Sequence, residues 1–322
     1  MLARVAETLY WMARYLERTE NLARLINVNA NLILDIPKKT ILGWEPLIDI
    51  TGTRANYEER YNNFEERSVM KYLISDVESP VSIANSLKWA RENARTVRDV
   101  IPREAWEQIN GLNHYARDQL NVAMSKRGRF SYLNEIILRS QTIVGQLSGT
   151  VNRDQGYVFI RLGRNIERAD MTSRIIDVRS ASLLTEENIG GLRPFENIQW
   201  MSVLKSLTAY QMYRQAMQAR VRRSDVVKFL FQSQRFPRSI LFCVQQMERS
   251  VQSLPDYEAI LRRIHQAKRL IQGAELQAYD QTMLHEFIDQ IQIELGNIHE
   301  ALNNQYFLTG RINSQEEKKQ AS

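Results

Sequence analysis

The chain has 322 residues, 43% hydrophobic and 25% charged, enough apolar mass for one large core or two smaller ones. With only 13 glycines and 7 prolines, it is poor in the turn formers that a sheet-rich fold needs. A formal charge of +6 admits an acidic partner without requiring one, and the single cysteine, Cys243, excludes an intrachain disulfide and points to a reducing, cytoplasmic setting.

The first predicted helix covers 3–34 and contains neither Gly nor Pro. Leu9, Met12, Leu16, Thr19, Ala23, Ile26 and Ala30 recur in steps of three and four, which lays one seam along a helix. Tyr10, Trp11, Tyr15, Leu22, Leu25 and Val28 add apolar groups on the other faces, as expected of a helix at the centre of a fold. Glu7, Arg14, Glu17 and Arg18 interrupt any apolar leader, so no signal peptide is expected. No stretch approaches the roughly 18 apolar residues of a membrane span.

Further helices are predicted over 44–53, 65–74, 82–100, 103–124 and 132–147, with Pro80 and Pro102 near helix starts, where a missing N–H costs least. A second long helix covers 153–184. The segment 185–197, with Gly190, Gly191 and Pro194, reads as a loop. More helices follow to about 308, and 311–322 is expected to be a flexible tail. No run of strands is evident: 157–160 has strand-like composition but continues into a helical pattern. The fold class is therefore all-α.

The chain also repeats itself. Arg14, Glu17, Arg18, Glu20, Arg24 and Val28 recur as Arg164, Glu167, Arg168, Asp170, Arg174 and Val178, at a constant offset of 150. A second match, at an offset of 157, pairs Val69, Lys71, Tyr72, Leu73, Pro80, Ser82 and Ile83 with Val226, Lys228, Phe229, Leu230, Pro237, Ser239 and Ile240. Two collinear matches imply an internally duplicated helical bundle with pseudo-twofold symmetry, its repeats spanning 1–150 and 151–310 and burying each other's apolar faces.

The repeated pattern Arg-x-x-Glu-Arg-x-acid-x-x-x-Arg places ion-pairing groups one turn apart: Arg14 with Glu17, and Glu20 with Arg24. On a central helix such charges must be paired. Two readings fit. In one, Glu17–Arg18 and Glu167–Arg168 are structural ion pairs that knit the halves together. In the other, the charges line a polar cleft near the pseudo-twofold axis, where arginines hold a carboxylate or phosphate and glutamates an amine. Arg91, Glu92, Asn93 and Arg95 form a second cluster, expected to supply a wall of such a cleft or else a solvated helix face.

Other constellations are weaker. Arg214, Arg220, Arg222 and Arg223 form a basic stretch without interleaved aromatics beyond Tyr213, which a helix end explains better than nucleic-acid binding. His114, His265, His285 and His299 lack metal-ligand spacing, so no metal is expected. No phosphate loop or dinucleotide fingerprint occurs and no cofactor is expected. Cys243, within Leu241-Phe242-Cys243-Val244, reads as a core residue.

The runs 9–21 (Leu-Tyr-Trp-Met-Ala-Arg-Tyr-Leu-Glu-Arg-Thr-Glu-Asn), Ser82-Ile83 with 90–95 (Ala-Arg-Glu-Asn-Ala-Arg), and 162–174 (Leu-Gly-Arg-Asn-Ile-Glu-Arg-Ala-Asp-Met-Thr-Ser-Arg) resemble the alpha-E proteins. This bacterial family is named for a helical domain with a Glu-Arg motif. The resemblance extends over about 1–310. Asn165 stands where an aromatic is more usual. The resemblance implies a circularly permuted ATP-grasp protein and a transglutaminase-like protein as partners, sometimes with a proteasome-like peptidase. It therefore implies amide-bond formation nearby.

The expectation is a non-ATP-binding helical component of a peptide-ligation or peptide-modification system, binding a partner enzyme, a peptide, or both. One alternative is an enzyme acting on an amino-acid or peptide substrate, with a glutamate as general base and arginines as carboxylate clamps. Another is a nucleic-acid-binding helical protein, separable by salt-dependent binding. No catalytic residue is assigned by the sequence.

Overall fold

A computed structural model describes residues 1–35, 43–182, 193–218 and 220–307. Among them every regular element is helical. In the first half these are α1 (Ala3–Asp35), α2 (Glu45–Thr51), α3 (Arg54–Glu58), α4 (Glu66–Met70), α5 (Ile83–Thr96), α6 (Arg103–Asp118), α7 (Leu120–Met124) and α8 (Lys126–Thr150). The second half has α9 (Gln155–Ser182), α10 (Arg193–Ser206), α11 (Tyr210–Met217), α12 (Arg223–Gln232), α13 (Ile240–Val251), α14 (Glu258–Gly273) and α15 (Gln281–Leu302). Short π-turns follow α4 and α15, at Lys71–Ser75 and Asn303–Phe307. No described helix is long and apolar enough to cross a membrane.

The seam read from the sequence is buried. Leu9, Met12, Thr19, Ala23 and Ile26 have no exposed surface, whereas Ala30 is half-buried. α1 and α9 pack directly on each other at the centre. Around them the same neighbour pattern occurs twice: α1 packs on α5 and α8, with α6 against both, and α9 packs on α13 and α15, with α14 against both. Gly163 permits the central contact. A Cβ at this position of α9 would lie 2.2 Å from the Tyr10 carbonyl oxygen of α1, a distance no side chain can occupy.

Matching details recur where α5 and α13 begin. Ser82 Oγ accepts from Asn85 N–H and donates to Asp76 O, while Ser239 Oγ accepts from Phe242 N–H and donates to Ser233 O. Each hydroxyl thus caps its helix and also anchors the preceding loop.

Several predicted boundaries are corrected. Residues 193–197 start α10 instead of continuing a loop, with Pro194 in the first turn, where its missing N–H costs nothing; the remaining loop residues, 185–192, lie outside the described residues, as does the tail. The helix predicted over 103–124 breaks at Gln119 into α6 and α7. α8 begins six residues early, because Ser125 caps it through Gly128 N–H.

Candidate functional site

The two Glu-Arg motifs meet where α1 crosses α9, and each glutamate is held by the other helix. Glu17 takes Arg168 Nε at 2.9 Å and Nη2 at 2.7 Å. Glu167 takes Arg18 Nε at 2.5 Å and Nη2 at 3.0 Å. These are reciprocal, two-pronged guanidinium–carboxylate pairs, the strongest geometry available to such groups. Both carboxylates are buried, Glu17 at 1% and Glu167 at 2% exposure.

Partner choice therefore differs from the local reading. The expected Arg14–Glu17 pair does not form; Arg14 Nε instead donates across to Glu167 at 2.7 Å. Nor do the adjacent residues Glu17 and Arg18, or Glu167 and Arg168, pair with each other. Successive residues on a helix point about 100° apart, so each finds its partner on the facing helix. The pairs one turn apart at the next level do form: Arg24 with Glu20 at 2.8 Å and Arg174 with Asp170 at 2.9 Å.

Each glutamate receives one further arginine, and here the halves differ. Glu167 takes Arg14, from α1. Glu17 takes Arg238, from the loop before α13, at 3.0 Å. Arg238 also donates to Asn21 Oδ1 and, at 2.8 Å, to Glu20. Arg164, the residue matching Arg14, leaves its buried Nε without a hydrogen-bond partner among the described residues, and burial together with Arg168 lowers its pKa.

Burial alone would raise the pKa of both glutamates. Arg168 and Arg238 reverse this for Glu17, and Arg18 and Arg14 do so for Glu167, so each is held at about 2. A carboxylate so stabilised is a poor proton acceptor at neutral pH, which counts against the glutamates as general bases.

Beside Glu167 lies an open pocket of about 330 Å³. Arg14, Arg18, Glu167, Asp170 and Arg174 form its charged floor, and Leu22, Ile166, Met171 and Leu295 supply apolar walls. Pro80 and Val81 close one side. Thr51 and Thr53 come from the turn at Gly52, whose positive φ of 67° suits glycine and whose missing Cβ leaves room for the Arg174 guanidinium. His299, also on the wall, shares a 2.9 Å hydrogen bond with Tyr10. Burial, reinforced by Arg14, lowers His299 to about 4, so it is neutral at physiological pH.

The sequence-derived candidates divide accordingly. Arg14, Arg18, Glu167, Asp170 and Arg174 line this pocket. Glu17, Glu20, Arg24 and Arg168 belong to the closed network on the other side, and among the described residues Arg164 lies outside its hydrogen bonds. Arg91, Glu92, Asn93 and Arg95 do not reach it: Arg91 bonds Asn110 and Glu92, Arg95 bonds Glu92, and Asn93 borders a separate groove with Trp11 and Trp89. The expected cleft wall is supplied by α2, α15 and the Pro80 loop instead. Sequence reasoning missed Arg238, Asn21, Thr51, Thr53 and His299. Only Arg238 left a signal: it sits between Pro237 and Ser239, both matched in the repeat, where the first half has Val81.

Elsewhere, Arg223 donates to the Tyr279 and Asp280 carbonyls, tying down one end of the basic stretch. Cys243 is wholly buried, and burial pushes its thiol up to about 12. Asp177, His285 and Asp289 cluster on the surface, with a 2.7 Å His285–Asp177 bond.

Comparison with known proteins finds one family model that matches residues 1–307, that of a predicted alpha-helical domain with a conserved ER motif, Alpha-E. Uncharacterised proteins of Mycobacterium bovis and of two Mycobacterium tuberculosis strains are each 21% identical over 273 residues, covering 78% of this chain and 30% of the relative. The chain thus spans under a third of the length of these relatives. No solved structure matches.

Proposed function

Since the chain belongs to the alpha-E family, we propose that it is a non-ATP-binding helical component of a cytoplasmic peptide-ligation or peptide-modification system, working with an ATP-grasp partner and a transglutaminase-like protein. The observation that carries this reading is the state of the two motif glutamates. Each is buried and locked by two arginines, with its pKa lowered to about 2, which suits a rigid frame for a binding pocket better than proton transfer. The mycobacterial relatives, which extend well beyond the matched segment, fit a domain that works beside other parts.

We propose further that 1–150 and 151–310 are duplicated units. The reciprocal Glu-Arg pairs, the twice-used serine cap and the repeated neighbour pattern support this.

The test of the partnership is co-purification with the ATP-grasp protein, followed by nucleotide turnover on the mixture and on each part alone. The expected result is a stable complex whose turnover exceeds the sum of its parts, with none from this chain alone. Failure to associate, or turnover by the isolated chain, would overturn the reading.

A further inference from the structure

The two sides of the Glu-Arg frame differ in one consequential way. On the Glu17 side, the Arg238 side chain fills the space beside the carboxylate and reaches Glu17, Asn21 and Glu20. At the matching position on the Glu167 side stands Val81, too short to reach the charged floor, and the 330 Å³ pocket lies open there. Met171 replaces Asn21 and Leu22 replaces Thr172, which makes the open side more apolar.

A hydrogen-bond count indicates what the opening would take. Both oxygens of Glu167 are occupied by Arg14 and Arg18. Arg174 uses Nε on Asp170, which leaves both its terminal nitrogens without hydrogen-bond partners among the described residues. Arg18 retains Nη1 in the same condition, since its other two nitrogens go to Glu167. Against these donors the floor offers one unused carboxylate oxygen, Oδ1 of Asp170. Arg14, Arg18 and Arg174 also outnumber Glu167 and Asp170 by one positive charge. Excess donors and excess positive charge select an anion. The apolar walls select an anion carrying an apolar body; the rim hydroxyls are already engaged, Thr51 donating to Ile48 O and bonded to Thr53.

We propose that this pocket binds a small organic carboxylate with an apolar substituent, such as a peptide C-terminus, clamped by Arg174 and Arg18 against the Leu22–Leu295 wall. The closed side, plugged by Arg238, takes no ligand and serves as frame. The site stands independently of the ATP-grasp partnership, because it rests only on groups within this chain.

The test uses the full chain and three probes, N-acetyl-L-leucine, L-leucinamide and inorganic phosphate, with binding read by titration calorimetry and by chemical shifts of the probe. N-Acetyl-L-leucine is expected to bind, and the other two to bind at least about tenfold more weakly, for want of the carboxylate or of the apolar body. Arg174→Gln, at a partly exposed position, should weaken N-acetyl-L-leucine by about tenfold or more through loss of a charged donor pair. Val81→Arg should abolish binding by filling the pocket as Arg238 fills its counterpart. Tighter binding of leucinamide would reassign the site to a cation, and preference for phosphate would reassign it to an inorganic anion; either overturns the proposal. So would absence of N-acetyl-L-leucine binding, or unchanged affinity in folded Arg174→Gln or Val81→Arg protein. None of these results depends on whether the ATP-grasp complex forms.

Discussion

Replacing Glu17 by glutamine keeps the volume of the side chain and removes its charge. In the parent, that charge faces the two-pronged Arg168 and a donor from Arg238, all within a nearly solvent-free crossing. Breaking a buried pair in this way costs about 3–5 kcal/mol. The lowering of the carboxyl from 4.5 to about 2 by the same two arginines is of that order, about 3 kcal/mol of folding free energy. The sign follows from the direction of the shift. A depressed carboxyl stabilises the fold fully above its unfolded value, near 4.5, and that contribution drains away as pH falls towards 2. Glu17→Gln should therefore melt roughly 10 °C below the parent at pH 7, and the gap should narrow steadily between about pH 4.5 and 2. Thermal melts at pH 7, 5 and 3 measure both quantities. A mutant within 2 °C (roughly 0.5–1 kcal/mol) of the parent at pH 7, or a gap independent of pH, would refute the buried-pair account.

A double-mutant cycle should find strong coupling between Glu17 and Arg168, on the order of 1–3 kcal/mol, and much weaker coupling between the sequence neighbours Glu17 and Arg18; chemical denaturation of the four variants in each cycle decides it. Gly163→Ala should destabilise by about 1–3 kcal/mol, because its Cβ would strike the Tyr10 carbonyl. Gly145→Ala, in α8 with nothing within 4 Å of the added carbon, should stabilise by about 0.5–1 kcal/mol, so the pair of melts separates crossing geometry from helix propensity. Cys243 should resist a thiol reagent at pH 8 in the native protein and react on unfolding, since it is buried with its thiol raised to about 12; rapid native labelling would contradict its place in the core.

The sequence by itself determined the helical class, the places of α1 and α9, and the burial of the motif glutamates Glu17 and Glu167. Each follows from local rules: a 3.6-residue period places Leu9, Met12 and Leu16 on one face, and a charge among such residues must go inside with a partner. The period does not say which partner. Arg14 lies one turn from Glu17, yet it bonds Glu167, because the crossing at Gly163 brings the facing helix, and with it the Glu167 carboxylate, within its reach. The Arg91 cluster looked equally charged in sequence, but it turns to Asn110 and away from the pocket. Whether a charged stretch faces a cleft depends on how its helix is rotated against its neighbours, and that is a global property. Most of all, the difference between the plugged and the open side came from tertiary structure. It turns on one position, Arg238 in one half and Val81 in the other, whose meaning appears only when the loop before α13 is folded over Glu17 and the loop before α5 leaves Glu167 beside an open space.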